Sequence, residues 1–156
     1  MSMFNSSEIY QFAIKIEENG EKFYRQMTEK LDDPKVKELF TFLANEEVDH
    51  KRTFEKMLSK FEDYTPVESY PGEYFAYLKA YADNLVFGFK KFDDDISKIE
   101  DAESAVQFAI GKELDTIMYF QEMKNLVPES ELKRIEAIIN EERKHVVKLS
   151  EIKRVI

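Results

Sequence analysis

Asn45-Glu46-Glu47-Val48-Asp49-His50 returns later in the chain as Asn140-Glu141-Glu142-Arg143-Lys144-His145, and these two stretches hold both histidines of the sequence. In each copy a glutamate stands three residues before the histidine. On a helix, such a pair shares one face, one side chain above the other. Each copy can therefore aim a carboxylate and an imidazole at one point, provided that the segment around it is helical.

Working outward from the first copy, Val36, Phe40, Leu43, Glu47, His50, Phe54, Met57 and Phe61 recur at helical spacing. Around the second copy the same spacing runs through Leu132, Ile135, Ile138/Ile139, Glu142, His145, Leu149 and Ile152, with Val146 beside it. The Glu and His of both motifs thus lie on apolar seams rather than on solvated faces. Asp33 before Pro34 suits a helix start, an N-cap followed by proline at the first helical position. It places the second helix from 34 to about 61. Ser6 or Ser7 can cap a first helix that runs to about 31, with Ile9, Ala13, Ile16, Phe23/Tyr24, Met27 and Leu31 inward. A third helix is expected from about 102 to 126, with Ala105, Ala109, Ile117, Phe120 and Met123 inward. Val127-Pro128 breaks it, and a fourth runs from about 129 onward.

The first and third helices each carry a lone charge on the seam. Glu17 follows Ala13-Ile14 and precedes Tyr24 and Met27. Glu113 follows Ala109-Ile110 and precedes Phe120 and Met123. The two hairpins therefore resemble each other residue by residue, as an internal duplication would. Glu17 and Glu47 stand about 15 residues either side of their break, and Glu113 and Glu142 about as far from theirs. At ~1.5 Å per residue, every one of these carboxylates lies ~20 Å from its turn. They are placed to meet at mid-bundle.

Between the hairpins, residues 62–101 form a long connection. Pro66, Pro71 and Gly72 make its first part extended, and aromatic spacing from Tyr74 predicts a crossover helix over 74–89. Asp93-Asp94-Asp95 is expected to end or interrupt that helix as a solvated break. No segment alternates with period two. The fold class is all-α: one domain over 1–156, a four-helix bundle of two helical hairpins joined by a long crossover containing a helix, the ferritin-like topology.

Composition narrows the function. A net charge of −9 argues against a nucleic-acid partner. No stretch approaches the roughly 18 apolar residues of a membrane span, and Met1 to Ser7 shows no signal peptide. The absence of cysteine excludes thiolate metal sites and thiol nucleophiles, and fits a cytoplasmic location. A single Glu-x-x-His is unremarkable in a chain where 22 of 156 residues are Glu. Two copies on seams, at one depth, each with a seam Glu on its partner helix, are another matter. Four carboxylates in a dry core repel one another. Two divalent cations balance four glutamates by simple count, and two imidazoles complete an O/N ligand set, the di-iron or di-manganese carboxylate arrangement.

These residues resemble the ferritin-like domain of the rubrerythrin family, over nearly the whole chain. The stretches that carry the likeness run from Ala13 to Tyr24, Asn45 to His50, Ala109 to Phe120 and Asn140 to His145. The resemblance implies six metal ligands, Glu17, Glu47, His50, Glu113, Glu142 and His145, with Glu47 and Glu142 bridging. It implies Tyr24 as a hydrogen-bond donor to the ligand shell. Two departures stand out. The family's cysteine-bearing rubredoxin module has no counterpart in a cysteine-free chain. A further ligand glutamate, one turn after that of the third helix and associated with peroxide reduction, is here Thr116. The implied function is a di-iron oxidoreductase, with manganese as the other candidate metal, acting on peroxide or dioxygen. It would draw electrons from an external carrier such as a rubredoxin-type protein. Ferritin-like iron storage or detoxification is the alternative, and a bundle that keeps its metals only for stability a third. The aromatic crossover, with more apolar surface than one bundle covers, predicts a homodimer.

Overall fold

The computed structural model describes residues 6–60, 76–77, 80 and 89–156. Four long helices carry the charged seams: α1 (Ser6–Lys30), α2 (Pro34–Ser59), α4 (Ala102–Met123) and α5 (Leu132–Lys153), with a short α3 (Phe89–Ser97) ahead of α4. The described residues include no strand. α1 packs along α2 and α4 along α5, and the two hairpins face each other through α1–α4 and α2–α5.

The helix starts follow from local chemistry. Asp33 accepts from the backbone N–H of Lys35 at 2.9 Å and of Val36 at 3.1 Å, with Pro34 at the first turn. Asp101 caps α4 in the same way, accepting from Ser104 N–H at 2.7 Å. Such caps are each worth about 1 kcal/mol. The ends differ slightly from expectation. α2 stops at Ser59, and the 3₁₀ turns Lys124–Leu126 and Glu129–Glu131 flank the second break. Tightening into 3₁₀ is the usual way to satisfy orphan groups where one helix hands over to the next.

Asp93-Asp94-Asp95 requires a correction. The triplet does not end a helix; α3 runs through it to Ser97. Phe92 and Ile96, four residues apart, are buried against the bundle and carry the helix past the aspartates. Asp93 meets Lys22 of α1 at 2.8 Å on the surface. Most of the crossover helix expected over 74–89, and with it the apolar surface behind the expected homodimer, lies outside the described residues.

Among the described residues the core forms two apolar clusters. The first joins the start of α1 and the end of α2 to the end of α4 and the start of α5, around Ile9, Phe54, Phe120 and Ile135. The second fills the other end, around Phe23, Phe40, Val106 and Leu149. Phe54 and Phe120 lie 5.0 Å apart in the first, Tyr24 and Phe40 5.0 Å apart in the second. Fully burying one such side chain contributes ~1.5–3 kcal/mol. Between the clusters lies a layer of charge. Among the described residues no helix is long and apolar enough to cross a membrane.

Candidate metal centre

That layer holds all six expected ligands, buried to within 4% of complete: Glu17 from α1, Glu47 and His50 from α2, Glu113 from α4, Glu142 and His145 from α5. They form two overlapping groups. Glu17, Glu47, His50 and Glu142 offer donor atoms within 4.8 Å of one another, and so do Glu47, Glu113, Glu142 and His145. Glu47 and Glu142 belong to both, the placement that a pair of bridging carboxylates needs.

Glu142 sits between the imidazoles. Its Oε1 is 2.9 Å from His50 Nδ1 and its Oε2 is 2.9 Å from His145 Nδ1. The lone glutamates stand one to each histidine: Glu17 is 3.6 Å from His50 Nδ1, Glu113 3.6 Å from His145 Nδ1. The rings stack with centroids 5.7 Å apart and planes 18° from parallel. The arrangement is an approximate two-fold one, as the duplicated sequence requires. Both Nδ1 atoms face inward. Both Nε2 atoms face outward, His50 Nε2 toward Glu141 at 2.5 Å and His145 Nε2 toward Glu46 at 3.8 Å.

Burial and mutual repulsion shape the titration. Burial, then the Glu142 charge, push Glu17 well above the usual carboxylate range. Burial and the neighbouring Glu17 do the same to Glu47. Glu113 is pushed up to about 8 by burial and by Glu142. Glu142 goes the other way: burial opposes its ionisation, yet the hydrogen bonds from His145 and His50 hold it below the usual range. Burial also works against charged histidines, but contacts with Glu142, and for His145 with Glu113, raise each to about 10. One carboxylate is thus held toward its anionic form between two histidines, and its three neighbours are pushed toward their protonated forms.

The residues fit a pair of cations. Neither oxygen of Glu17 finds a hydrogen-bond partner, although both atoms are buried. Leaving such groups unsatisfied is costly, and a cation between Glu17, Glu47, His50 and Glu142 would satisfy the Glu17 carboxylate. Tyr24 supports the set from across the bundle. Its hydroxyl donates to Glu113 Oε1 at 2.5 Å rather than serving Glu17 of its own helix.

Gly20 also shapes the centre, although no sequence pattern marks it. A Cβ there would lie 2.8 Å from Glu47 Oε2 and 3.0 Å from its Cδ. The bare backbone is what lets that carboxylate lie against α1. Nothing in the local pattern shows this, because the approach is between helices. A cavity of ≈ 40 Å³ reaches Glu47 and Glu113 from the α1–α4 side, lined by Asn19, Gly20, Tyr24 and Thr116 and bounded by Phe92. Thr116 is buried on its wall, one turn from Glu113.

A solved structure from Thermotoga maritima, described as a candidate ferritin-like diiron-carboxylate protein, is similar at 27% sequence identity with a TM-score of 0.69. The match covers 99% of this chain and 97% of that one. No curated protein matches the sequence. With both hairpins, the charge layer between them and a match across residues 8–153, the chain belongs to the rubrerythrin family.

Proposed function

We infer that this chain holds two divalent metal ions, iron ahead of manganese, and uses them as an oxidoreductase acting on peroxide or dioxygen. Glu17, Glu47, His50, Glu113, Glu142 and His145 are the ligands, Glu47 and Glu142 the bridges. The observation that carries this reading is the buried layer itself: four carboxylates and two imidazoles converge with unpaired donor atoms that a cation satisfies. When bound, the metals supply Lewis acidity and electrons.

The chain's own residues set the terms. The two apolar clusters keep bulk water from both ends of the layer. Tyr24 fixes Glu113 through a 2.5 Å hydrogen bond. The ≈ 40 Å³ cavity on the α1–α4 side admits only a small molecule, since roughly 10–15 Å³ of such space holds one water. That supports an oxygen species of two heavy atoms and argues against bulky organic substrates. Reducing hydrogen peroxide to two waters takes two electrons and two protons, and the electrons come from an external carrier such as a rubredoxin-type protein.

The test is anaerobic loading with ferrous iron followed by peroxide or oxygen, read optically. Oxidation of two irons per chain is expected; bound iron that stays ferrous would rule the reading out. Iron handling of the ferritin kind uses the same six residues and is favoured by a broad depression on the α2–α5 side that holds Glu46, Asp49 and Glu141. Storage needs a closed cage, so light scattering that finds a dimer excludes it.

A further inference from the structure

Both repeats open Asn-Glu-Glu, and the buried centre uses only the second glutamate of each. The first ones, Glu46 on α2 and Glu141 on α5, are 30% and 46% exposed and meet on the outer side of the histidines. Glu141 Oε2 lies 2.5 Å from His50 Nε2. Donor atoms of Glu46, His50 and Glu141 all lie within 4.8 Å of one another. A second observation points the same way. His145 Nε2 is buried, has no hydrogen-bond partner, and sits 3.8 Å from Glu46 Oε2. The cluster opens to solvent through a depression of ≈ 660 Å³, also lined by Asp49, Lys56, Lys60 and Arg134.

We propose that Glu46, Glu141 and Nε2 of His50 form a third divalent-cation site, an outer capture position from which metal passes to the buried centre. The passage inward rests on the di-metal reading; the outer site itself does not. Two carboxylates and one imidazole, with water completing the shell, suit manganese, ferrous iron, cobalt or zinc.

His50 is the shared component, and its two nitrogens make the positions exclusive. Either cation displaces one proton from His50, and the neutral imidazole that remains offers one lone pair. With its proton on Nδ1, donated to Glu142 Oε1, Nε2 binds the outer cation. When a cation takes Nδ1 in the buried centre, the proton belongs on Nε2 and is donated to Glu141. Filling the centre therefore releases the outer position, and the proton stays on the ring. The alternative is that Glu46 and Glu141 only orient the imidazoles through those N–H groups, as carboxylates behind metal-bound histidines do.

Cobalt(II) separates the two roles. In Glu47→Gln/Glu142→Gln the shared carboxylates of the centre are gone and the outer cluster is intact. We expect one cobalt per chain, seen as a visible d–d band and a one-site calorimetric isotherm. Adding Glu46→Gln and Glu141→Gln should weaken it at least about tenfold. If Glu47→Gln/Glu142→Gln keeps its helical circular dichroism and binds no cobalt up to millimolar concentration, the proposal is overturned. A second measurement covers the case in which that variant fails to fold. In an otherwise native chain, Glu46→Gln/Glu141→Gln should load the centre about tenfold more slowly at limiting cobalt, while still reaching two per chain. A loading rate equal to wild type, with only the final affinity lowered, assigns the orienting role instead. Failure of the wild type to take up two metals would sink the di-metal reading and leave the Glu47→Gln/Glu142→Gln result to decide the outer site.

Discussion

In α1 the aromatic pair following the lone glutamate reads Phe23-Tyr24; in α4 the corresponding pair reads Tyr119-Phe120. The hydroxyl has moved by one residue, and with it the support of the centre. Tyr24 sends its hydroxyl across to Glu113 at 2.5 Å. Tyr119 turns its hydroxyl to the backbone carbonyl of Ile9 at 3.1 Å. Phe120, the counterpart of Tyr24, has no hydroxyl to offer Glu17, and both Glu17 oxygens are left without a partner. The two hairpins thus repeat their glutamates and histidines but not what lies behind them. The halves share geometry, while electrostatic support is specific to each.

The largest test of that difference compares the two bridging positions. By sequence Glu47 and Glu142 are equivalents. By charge they are opposites, since burial and Glu17 push the Glu47 carboxyl up while the two histidines hold that of Glu142 down. Without metal, Glu142→Gln leaves two buried imidazolium groups uncompensated and should lower unfolding free energy by ~3–5 kcal/mol. Glu47→Gln replaces a neutral acid with a neutral amide of the same shape and should change it by less than about 1 kcal/mol. Urea denaturation of the metal-free variants measures both. Equal losses would mean that the halves share the charge evenly.

The next effect is on protons. Glu17, Glu47 and Glu113 are raised carboxyls, and His50 and His145 are raised to about 10. Ligation requires all five in their proton-free forms, so loading two metals near pH 7 should release more protons than the two histidines alone can supply. Calorimetry in buffers of different ionisation enthalpy counts them; two or fewer would mean that the glutamates are already ionised. The sign for stability follows. Raised groups stabilise the metal-free fold fully below their unfolded values, and that contribution falls as pH rises toward the folded ones. Between pH 5 and 8 the metal-free protein should lose up to about 1.4 kcal/mol per pH unit for each carboxyl that stays protonated only in the fold. The metal-loaded protein should show little of this slope. Thermal melts across that range check it.

Phe120→Tyr would restore to α4 the hydroxyl that α1 has. A donor for Glu17 should add ~0.5–1.5 kcal/mol to the metal-free protein, and Tyr24→Phe should remove a similar or larger amount by stripping Glu113. Denaturant midpoints of both, and of the double variant, show whether the two halves act independently. A loss in Phe120→Tyr would instead show that the packing against Phe54, 5.0 Å away, has no room for the oxygen.

The difference between what was legible in the sequence and what was not follows the same line. The seam residues from Glu17 to His145 could be placed because helical period fixes which side chains face inward, and the repeat fixes their depth. Glu46 and Glu141 belong to the same motif, yet half-exposed positions beside a seam look like solvated face. The α3 helix through Asp93–Asp95 was hidden because two buried residues, Phe92 and Ile96, outweigh three polar ones, and burial is a tertiary fact. The target of the Tyr24 hydroxyl depends on α4, which no local window contains.

Gly20 and Gly111 carry the comparison to its smallest scale. Each lies inside a long helix, where glycine costs roughly 0.5–1 kcal/mol relative to alanine. A Cβ on Gly111 meets nothing within 4 Å, so Gly111→Ala should recover that amount and leave metal binding alone. A Cβ on Gly20 falls 2.8 Å from Glu47 Oε2. The obstacle is the end of a flexible side chain, so Gly20→Ala should gain similar helix stability while Glu47 swings away. The loss then appears in the centre, as weaker binding at the metal position that Glu47 shares with Glu17 and His50. Metal titrations of the two variants, set beside their melts, separate backbone entropy from carboxylate placement. A Gly20→Ala protein that binds metal as tightly as Gly111→Ala would show that the bare backbone at Gly20 is not what positions Glu47.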